Sequence, residues 1–359
     1  SMKRFALVPT FSLLLCSCAS QLVPYTTDGP PLVMMPASQA GIVDGRGRFR
    51  EIACAVLEES DHESPAYEPC EQALTRVGEE AGATGEPVEL GPTDSDLVAA
   101  VVPGVGWECF RTWLDWEDRF REQTLESGYR SYIFEVDGLS GTWNNAGQIR
   151  DAIMDSSGRI GPKQLVLMGY SKGAPDILEA IVAYPEIHPY VAAVVSVAGS
   201  VGGSPLAYDF EEAELDLLRH IPDSSCSRGD GEGISSLHPA VRQAWLAANP
   251  LPPEIPYYSV VTYPMEGEVS SILGSSYRKL ARIDPRNDSQ VLVHDQVIPG
   301  STLVAYLNAD HWAVAVPVTE SHPFIGKHFV DQNSYPRRAI LEAVMRFVEE
   351  DLDRKRAGD

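Results

Sequence analysis

One serine near the middle of the chain stands where a nucleophile could form. The pentapeptide GYSKG, residues 169–173, follows a short apolar run, residues 165–168, and precedes apolar residues at helical spacing. A G-x-S-x-G pattern between a buried strand and a helix predicts a turn that exposes the Ser171 hydroxyl near the positive end of the helix. The two glycines fit this turn because side chains at their positions would collide with neighbouring backbone.

A serine hydroxyl needs a base to become nucleophilic at neutral pH. The chain has eight histidines, and His311 follows the last predicted core strand, Thr302 to Leu307, in the sequence NADHW. A loop after a parallel strand lies at the same edge of the sheet as Ser171, so His311 is the predicted base. An acid that orients it should lie between the strand at residues 257–262 and His311. The carboxylates that satisfy this order are Glu266, Glu268, Asp284, Asp288, Asp295 and Asp310.

Asp288 is the preferred acid among these six. It lies in NDSQV, which resembles the N-D-G-x-V turn that carries the acid in many lipases, with Ser289 in place of the usual glycine. Asp295 is the next candidate. Asp310 adjoins His311, and neighbours in an extended segment point away from each other, so it is not expected to orient that imidazole.

Glycines also follow an early strand, Leu97 to Val102, in the loop PGVGW. Such a loop lets backbone N–H groups face a pocket and receive the negative charge that develops on a carbonyl oxygen. Val105 is predicted to supply one of these donors, and the N–H of Lys172 the second. Trp107 is predicted to belong to the core, although it lies near enough to this loop to line a pocket.

Strands and helices alternate around these motifs. A helix over Arg111 to Ser127, a strand over Ser131 to Val136 and an apolar strand over Val191 to Val197 predict an α/β fold with a mostly parallel sheet and helices on both faces. Residues 205–252 read as an insertion over the pocket, either a lid or a static cap.

The elbow at Ser171, the PGVG loop and the pair NDSQV and NADHW together resemble the α/β-hydrolase superfamily, specifically bacterial esterases and lipases. The resemblance covers residues 96–350, within a domain drawn at 93–359. It places the insertion after the sixth strand and implies a carboxylesterase or lipase that works through an acyl-enzyme without a cofactor. The chain departs from many lipases in lacking a histidine before Gly104 and in carrying Lys172, whose side chain is expected at the surface.

The same triad would also serve a thioesterase or an acyltransferase, and a rival from another class is a catalytically silent fold that acts as a binding module. A fluorophosphonate probe separates the serine hydrolase from the binding module because only an activated serine is labelled.

The first 18 residues resemble a bacterial lipoprotein signal peptide. Positive charges at Lys3 and Arg4 precede an apolar run too short to span a bilayer, and the run ends in LCSC. Cys18 is the predicted acylated cysteine, and the alternative is a plain secreted protein. Residues 19–40 are rich in proline and are predicted to be a tether, which would place the protein in the cell envelope, facing the periplasm or the exterior.

Composition limits the partners. Asp and Glu number 51 against 28 Lys and Arg, a net charge of −23, so nucleic acid is not an expected partner. The sequence contains no apparent metal-ligand cluster. Residues 41–92 are predicted to be an accessory segment with a disulfide between Cys54 and Cys70, although four buried thiols remain an alternative for the cysteines after the signal.

Overall fold

The computed structural model describes residues 41–114, 128–158, 161–220, 224 and 226–358, without the side chains of residues 111–113 and 215. The signal peptide, the tether and most of the helix predicted over Arg111 to Ser127 therefore lie outside the described residues. The strands are β1 Val43–Asp44, β2 Val98–Val102, β3 Arg130–Ile133, β4 Leu165–Tyr170, β5 Val191–Val197, β6 Tyr257–Thr262 and β7 Thr302–Leu307.

The described helices pack around this sheet or extend from its loops. They are α1 Arg46–Glu59, α2 Cys70–Ala73, α3 Trp107–Leu114, α4 Thr142–Ser156, α5 Gly173–Ala183, α6 Glu212–Asp216, α7 Pro239–Ala248, α8 Gly274–Leu280, α9 Val318–Ser321, α10 Pro323–Phe329 and α11 Arg337–Gly358. Among them, none is long and apolar enough to cross a membrane.

All seven strands are parallel and lie in the order β1-β7-β6-β5-β4-β2-β3. From β4 to β7, strands that are neighbours in the sheet are also consecutive in the chain. Strands β2 and β3 lie on the other side of β4. The chain thus reverses its direction of travel across the sheet between β2 and β4. In open parallel sheets the crevice outside the strand ends at such a point is where ligands bind. The loops after β2 and β4, which carry Val105 and Ser171, meet there.

Two apolar cores cover the two faces of the sheet. Alternate residues of β2 enter opposite cores, as the pleat of a strand requires: Val98 lies in one and Ala99 in the other. The first core includes α1 and α11, and the second includes α4 and α5. Burial on both faces explains why the central strands are near-continuous apolar runs. The predicted α/β class and parallel sheet are confirmed.

The segment before residue 60 contributes to this core. β1 pairs with β7, and Phe49 and Ile52 of α1 are 1% exposed within the core that contains α11. Arg48 forms an ion pair with Glu350 of α11, at 2.8 Å. Residues 43–59 are thus built into the sheet and core, and the boundary drawn at residue 92 stays a prediction.

Two disulfides join the described cysteines. The predicted Cys54–Cys70 bond is present, and Cys109 pairs with Cys226. The second bond connects α3, just after the PGVG loop, to the insertion. In this structure the insertion follows β5, the fifth strand in chain order, and not the sixth as expected. The second bond therefore ties the predicted lid or cap to the loop beside Ser171.

Candidate active site

Ser171 lies at the tip of a sharp turn between β4 and α5. Its φ is +54°, in the left-handed region that few residues other than glycine adopt. A Cβ at Gly169 would lie 2.4 Å from the backbone of Ala174, and one at Gly173 would lie 2.0 Å from the carbonyl oxygen of Val102. Neither position has room for a side chain, which gives the physical reason for the G-x-S-x-G spacing.

Three side chains from separate loops meet in a hydrogen-bonded row. His311 Nε2 lies 2.8 Å from Ser171 Oγ, and His311 Nδ1 lies 2.7 Å from Asp288 Oδ2. Because a carboxylate only accepts, the ring hydrogen belongs on Nδ1, which leaves Nε2 to accept the serine proton. Ser171 is 8% exposed, His311 4% and Asp288 0%. The structure brings together the three residues named from the sequence, over a separation of 140 positions between Ser171 and His311.

Besides the His311 imidazole, four hydrogen-bond donors hold Asp288 in place. The backbone N–H groups of Gln290 and Val291 donate to its Oδ1, at 3.0 and 2.8 Å. The Thr262 hydroxyl lies 2.5 Å from its Oδ2 and 3.1 Å from Gln296 Oε1. A hydroxyl has one hydrogen, and the shorter distance assigns it to Asp288. The backbone N–H of His311 also donates to the Asp288 carbonyl, at 2.9 Å, which fixes the two loops against each other.

Thr262 is a residue that sequence reasoning missed. It is the last residue of β6, so the carboxyl end of that strand points it at the same edge as Ser171. No pattern in the sequence singled it out, because the strand also contains Ser259 and threonine is common in strands.

Three of the five other candidate acids have different partners. Asp310 accepts backbone N–H groups from Ser270, Trp312 and Ala313, so it shapes the loop around His311 without contacting the ring. Burial raises the pKa of Asp310. Asp284 pairs with Arg286 at 2.6 Å. The backbone carbonyl of Asp295 accepts from the Gly202 N–H, and the structure does not bring its carboxylate to His311.

The PGVG loop lies directly against Ser171. A Cβ at Gly104 would be 3.0 Å from Ser171 Cβ, so glycine lets the loop approach Ser171 without a tight contact. The Gly106 N–H donates to the Gly138 carbonyl at 2.8 Å, which fixes the far side of the loop. No backbone carbonyl of the described residues accepts from the N–H of Val105 or Lys172. Their role as oxyanion donors stays a prediction.

The expectation that the Lys172 side chain lies at the surface is wrong. Lys172 is 1% exposed, and its Nζ donates to both carboxylate oxygens of Asp176 at 2.8 Å. The two residues are one turn apart on α5, so the first turn folds the ammonium back under the elbow. The charge of Lys172 consequently faces the protein interior and is balanced there.

Tyr170 supports His311 from behind. Its hydroxyl donates to the His311 carbonyl at 2.7 Å, and the two ring centroids are 5.3 Å apart. Burial, together with the charges of Asp288 and Asp310, raises the pKa of Tyr170, so the hydroxyl keeps its proton. No sequence signal pointed to this role, because Tyr170 occupies an x position of the G-x-S-x-G pattern, where any residue is allowed.

Trp107 belongs to the core, as predicted: it is 4% exposed and its indole N–H donates to the Val136 carbonyl at 3.0 Å. In the described part of the chain, no group of three or more His, Cys, Asp or Glu side chains could hold a metal ion.

Comparison with known proteins places this geometry in context. The sequence matches no protein-family model and none of the curated proteins. Among solved structures it is similar to the metagenomic carboxyl esterase MGS0156, with 38% sequence identity over 90% of this chain and 97% of that one and a TM-score of 0.79. It also shares a fold with the Bacillus licheniformis lipase BlEst2 in its propeptide form, with 18% identity over 67% of this chain and 51% of that one and a TM-score of 0.50. On the first of these similarities, the chain belongs to the carboxyl esterase family of the α/β-hydrolase superfamily.

Proposed function

We propose that the chain hydrolyses carboxylic esters with Ser171 as nucleophile, His311 as general base and Asp288 as the acid that orients the imidazole. The observation that carries this proposal is the row of contacts from Asp288 through His311 to Ser171 Oγ, at 2.7 and 2.8 Å. Such distances are within the reach that proton transfer requires. Family membership supports an ester as the substrate.

In the acylation step, Ser171 Oγ attacks the ester carbonyl carbon while its proton moves to His311 Nε2. The carbonyl oxygen becomes negatively charged and accepts hydrogen bonds from the N–H groups of Val105 and Lys172. Asp288 stabilises the imidazolium that forms. His311 then gives its proton to the leaving alkoxide oxygen, which departs as an alcohol and leaves an acyl group on Ser171.

Deacylation repeats this chemistry with water. His311 takes a proton from the water as its oxygen attacks the acyl carbon, and the same N–H groups receive the second oxyanion. The proton returns to Ser171 Oγ as the acid leaves. No step needs a cofactor, because the base and the oxyanion donors all come from the chain.

Ser171→Ala tests this mechanism. The variant should fold normally and lose at least a thousandfold in kcat on a short p-nitrophenyl ester, since acylation needs the hydroxyl. A fluorophosphonate probe should label the wild type at Ser171 and leave the variant unlabelled. Wild-type turnover by the variant, or absence of labelling in an intact wild type, would favour the binding-module reading.

We also propose that the protein is exported and anchored in the cell envelope through a lipid on Cys18. The LCSC sequence after an apolar run supports the anchor, and two disulfides in the described chain fit an oxidising compartment. In a bacterial host, radiolabelled palmitate should be incorporated into the wild type and not into Cys18→Ser. Equal labelling of both would refute the anchor.

A further inference from the structure

A group of buried charges lies beneath the elbow, where the proposed mechanism does not use it. Asp176 and Glu179 stand three residues apart on α5, so they share one face of that helix. Asp176 binds Lys172 and accepts from the Asn145 amide at 2.8 Å. Burial raises the pKa of Asp176, against the attraction of Lys172. We call this face the elbow charge cluster.

The insertion supplies the second cation of the cluster. Arg242 of α7 is 1% exposed; its Nη1 lies 3.6 Å from Glu179 Oε2, and its guanidinium stacks 4.6 Å from the ring of Trp245. The Trp245 indole N–H donates to Glu179 Oε1 at 2.8 Å, and the Thr142 hydroxyl donates to Oε2 at 2.9 Å. Glu179 thus accepts hydrogen bonds from both the insertion and α4.

Arg242 also reaches the loop that holds Ser171. Its Nε donates to the Val201 carbonyl at 3.3 Å. In the same loop the Ser200 N–H donates to the Ser171 carbonyl at 3.0 Å, and the Ser171 N–H donates to the Val197 carbonyl at 3.1 Å. The insertion is therefore connected to the backbone of the nucleophile on two sides, through α5 and through this loop.

Burying the charges of this cluster costs free energy of folding. Burial lowers the pKa of Arg242 to about 10, against the attraction of Glu179 and Asp176, and its Nη2 has no hydrogen-bond partner. An unsatisfied buried donor lowers stability, and apolar side chains often stabilise such a site better than a buried ion pair. Stability alone does not account for a guanidinium at this position.

We propose that Arg242 is a positioning residue: it fixes the insertion to the elbow charge cluster and thereby holds Ser171 and the Lys172 N–H in the geometry that acylation requires. This inference rests on the proposed function. It makes α7 a fixed part of the active site rather than a lid that must lift away. The Cys109–Cys226 disulfide, which ties the insertion to the helix after the PGVG loop, fits the same reading.

The test compares Arg242→Met with wild type on a p-nitrophenyl butyrate assay. Because Arg242 is buried, we expect kcat to fall by about tenfold to a hundredfold while KM stays within twofold. The rate of fluorophosphonate labelling at Ser171 should fall by a similar factor, since labelling reports nucleophile geometry without deacylation. Arg48→Met is the matched control, because Arg48 is a buried arginine paired to a carboxylate away from the elbow; it should lower the melting temperature and leave kcat unchanged.

The double variant Arg242→Met with Glu179→Gln separates positioning from charge balance. It leaves no unpaired charge, so thermal stability should recover while kcat stays low. Recovery of both would overturn the proposal. If Arg242→Met does not fold, Arg242→Lys decides: it keeps the charge, yet it replaces the two guanidinium nitrogens that approach Val201 and Glu179 with a single ammonium nitrogen, so kcat should fall several-fold, and a wild-type kcat would refute the inference. A normal Arg242→Met beside an inactive Ser171→Ala would reject the positioning role and leave the proposed function standing.

Discussion

Asp288→Asn tests the role of the carboxylate oxygen that contacts His311. Two backbone N–H groups, from Gln290 and Val291, point at Asp288 Oδ1. The introduced amide must therefore place its carbonyl oxygen there, because its NH2 group would meet those donors. The NH2 group is then forced to the position of Oδ2, 2.7 Å from His311 Nδ1.

This orientation of the amide changes the tautomer of the His311 imidazole. An amide NH2 donates, so His311 Nδ1 must accept and the ring hydrogen moves to Nε2, which can no longer take the proton of Ser171. The variant also loses the negative charge that stabilises the imidazolium. A wrong tautomer at such a triad lowers kcat by about 10⁴-fold, or about 5.5 kcal/mol of transition-state stabilisation. Thr262 does not restore the ring, since its hydroxyl can turn to Gln296 Oε1 at 3.1 Å.

The assay is steady-state hydrolysis of p-nitrophenyl butyrate by the wild type, Asp288→Asn and Asp295→Asn, with circular dichroism to establish folding. We expect kcat to fall by about 10⁴-fold in the first variant, with KM little changed, and to stay within a few fold in the second. Asp295 is a matched control because it is also a buried aspartate between β6 and β7. A folded Asp288→Asn with more than a tenth of wild-type kcat would refute the assignment, all the more if Asp295→Asn were inactive.

Three further predictions concern the support of the site and the stability of the fold. Thr262→Val removes the hydroxyl 2.5 Å from Asp288 Oδ2 and should lower kcat about tenfold without changing KM, whereas unchanged kcat would remove Thr262 from the site. Burial raises the pKa of Glu68 to about 7 from 4.5, so its ionisation opposes folding and the free energy of unfolding falls as pH rises through that window. Glu68→Gln should therefore leave stability unchanged at pH 4 and raise it at pH 8 by about 1 kcal/mol after solvent screening, and urea titrations that shift equally at both pH values would contradict this. Cys109 and Cys226 are 117 residues apart, so replacing both by serine should lower the free energy of unfolding by up to about 4 kcal/mol, and a urea midpoint equal to that of wild type would show that the bond adds nothing.

The sequence by itself determined the local structural features of this protein. The period of the apolar residues predicted β4 and α5, and the glycines around Ser171 predicted a turn that no larger side chain permits, as the 2.0 and 2.4 Å approaches at Gly173 and Gly169 show. Chain order and strand ends then indicated His311. These features are readable because they depend on neighbours within a few residues, where backbone sterics and side-chain period act directly.

Only the tertiary structure decided which distant groups meet. Six carboxylates satisfied the chain order, and the sheet order brought Asp288 to the imidazole while Asp310 bonded its own loop. The sequence predicted Lys172 at the surface because it does not show that Lys172 and its partner Asp176 are both buried. Their burial depends on the packing of α4 and the insertion against α5. Thr262 and Arg242 gave no local signal, since a hydroxyl or a guanidinium gains its role from the atoms packed against it. Burial and hydrogen-bond partners are properties of the packed whole, so they cannot be read from a pattern that records only neighbours along the chain.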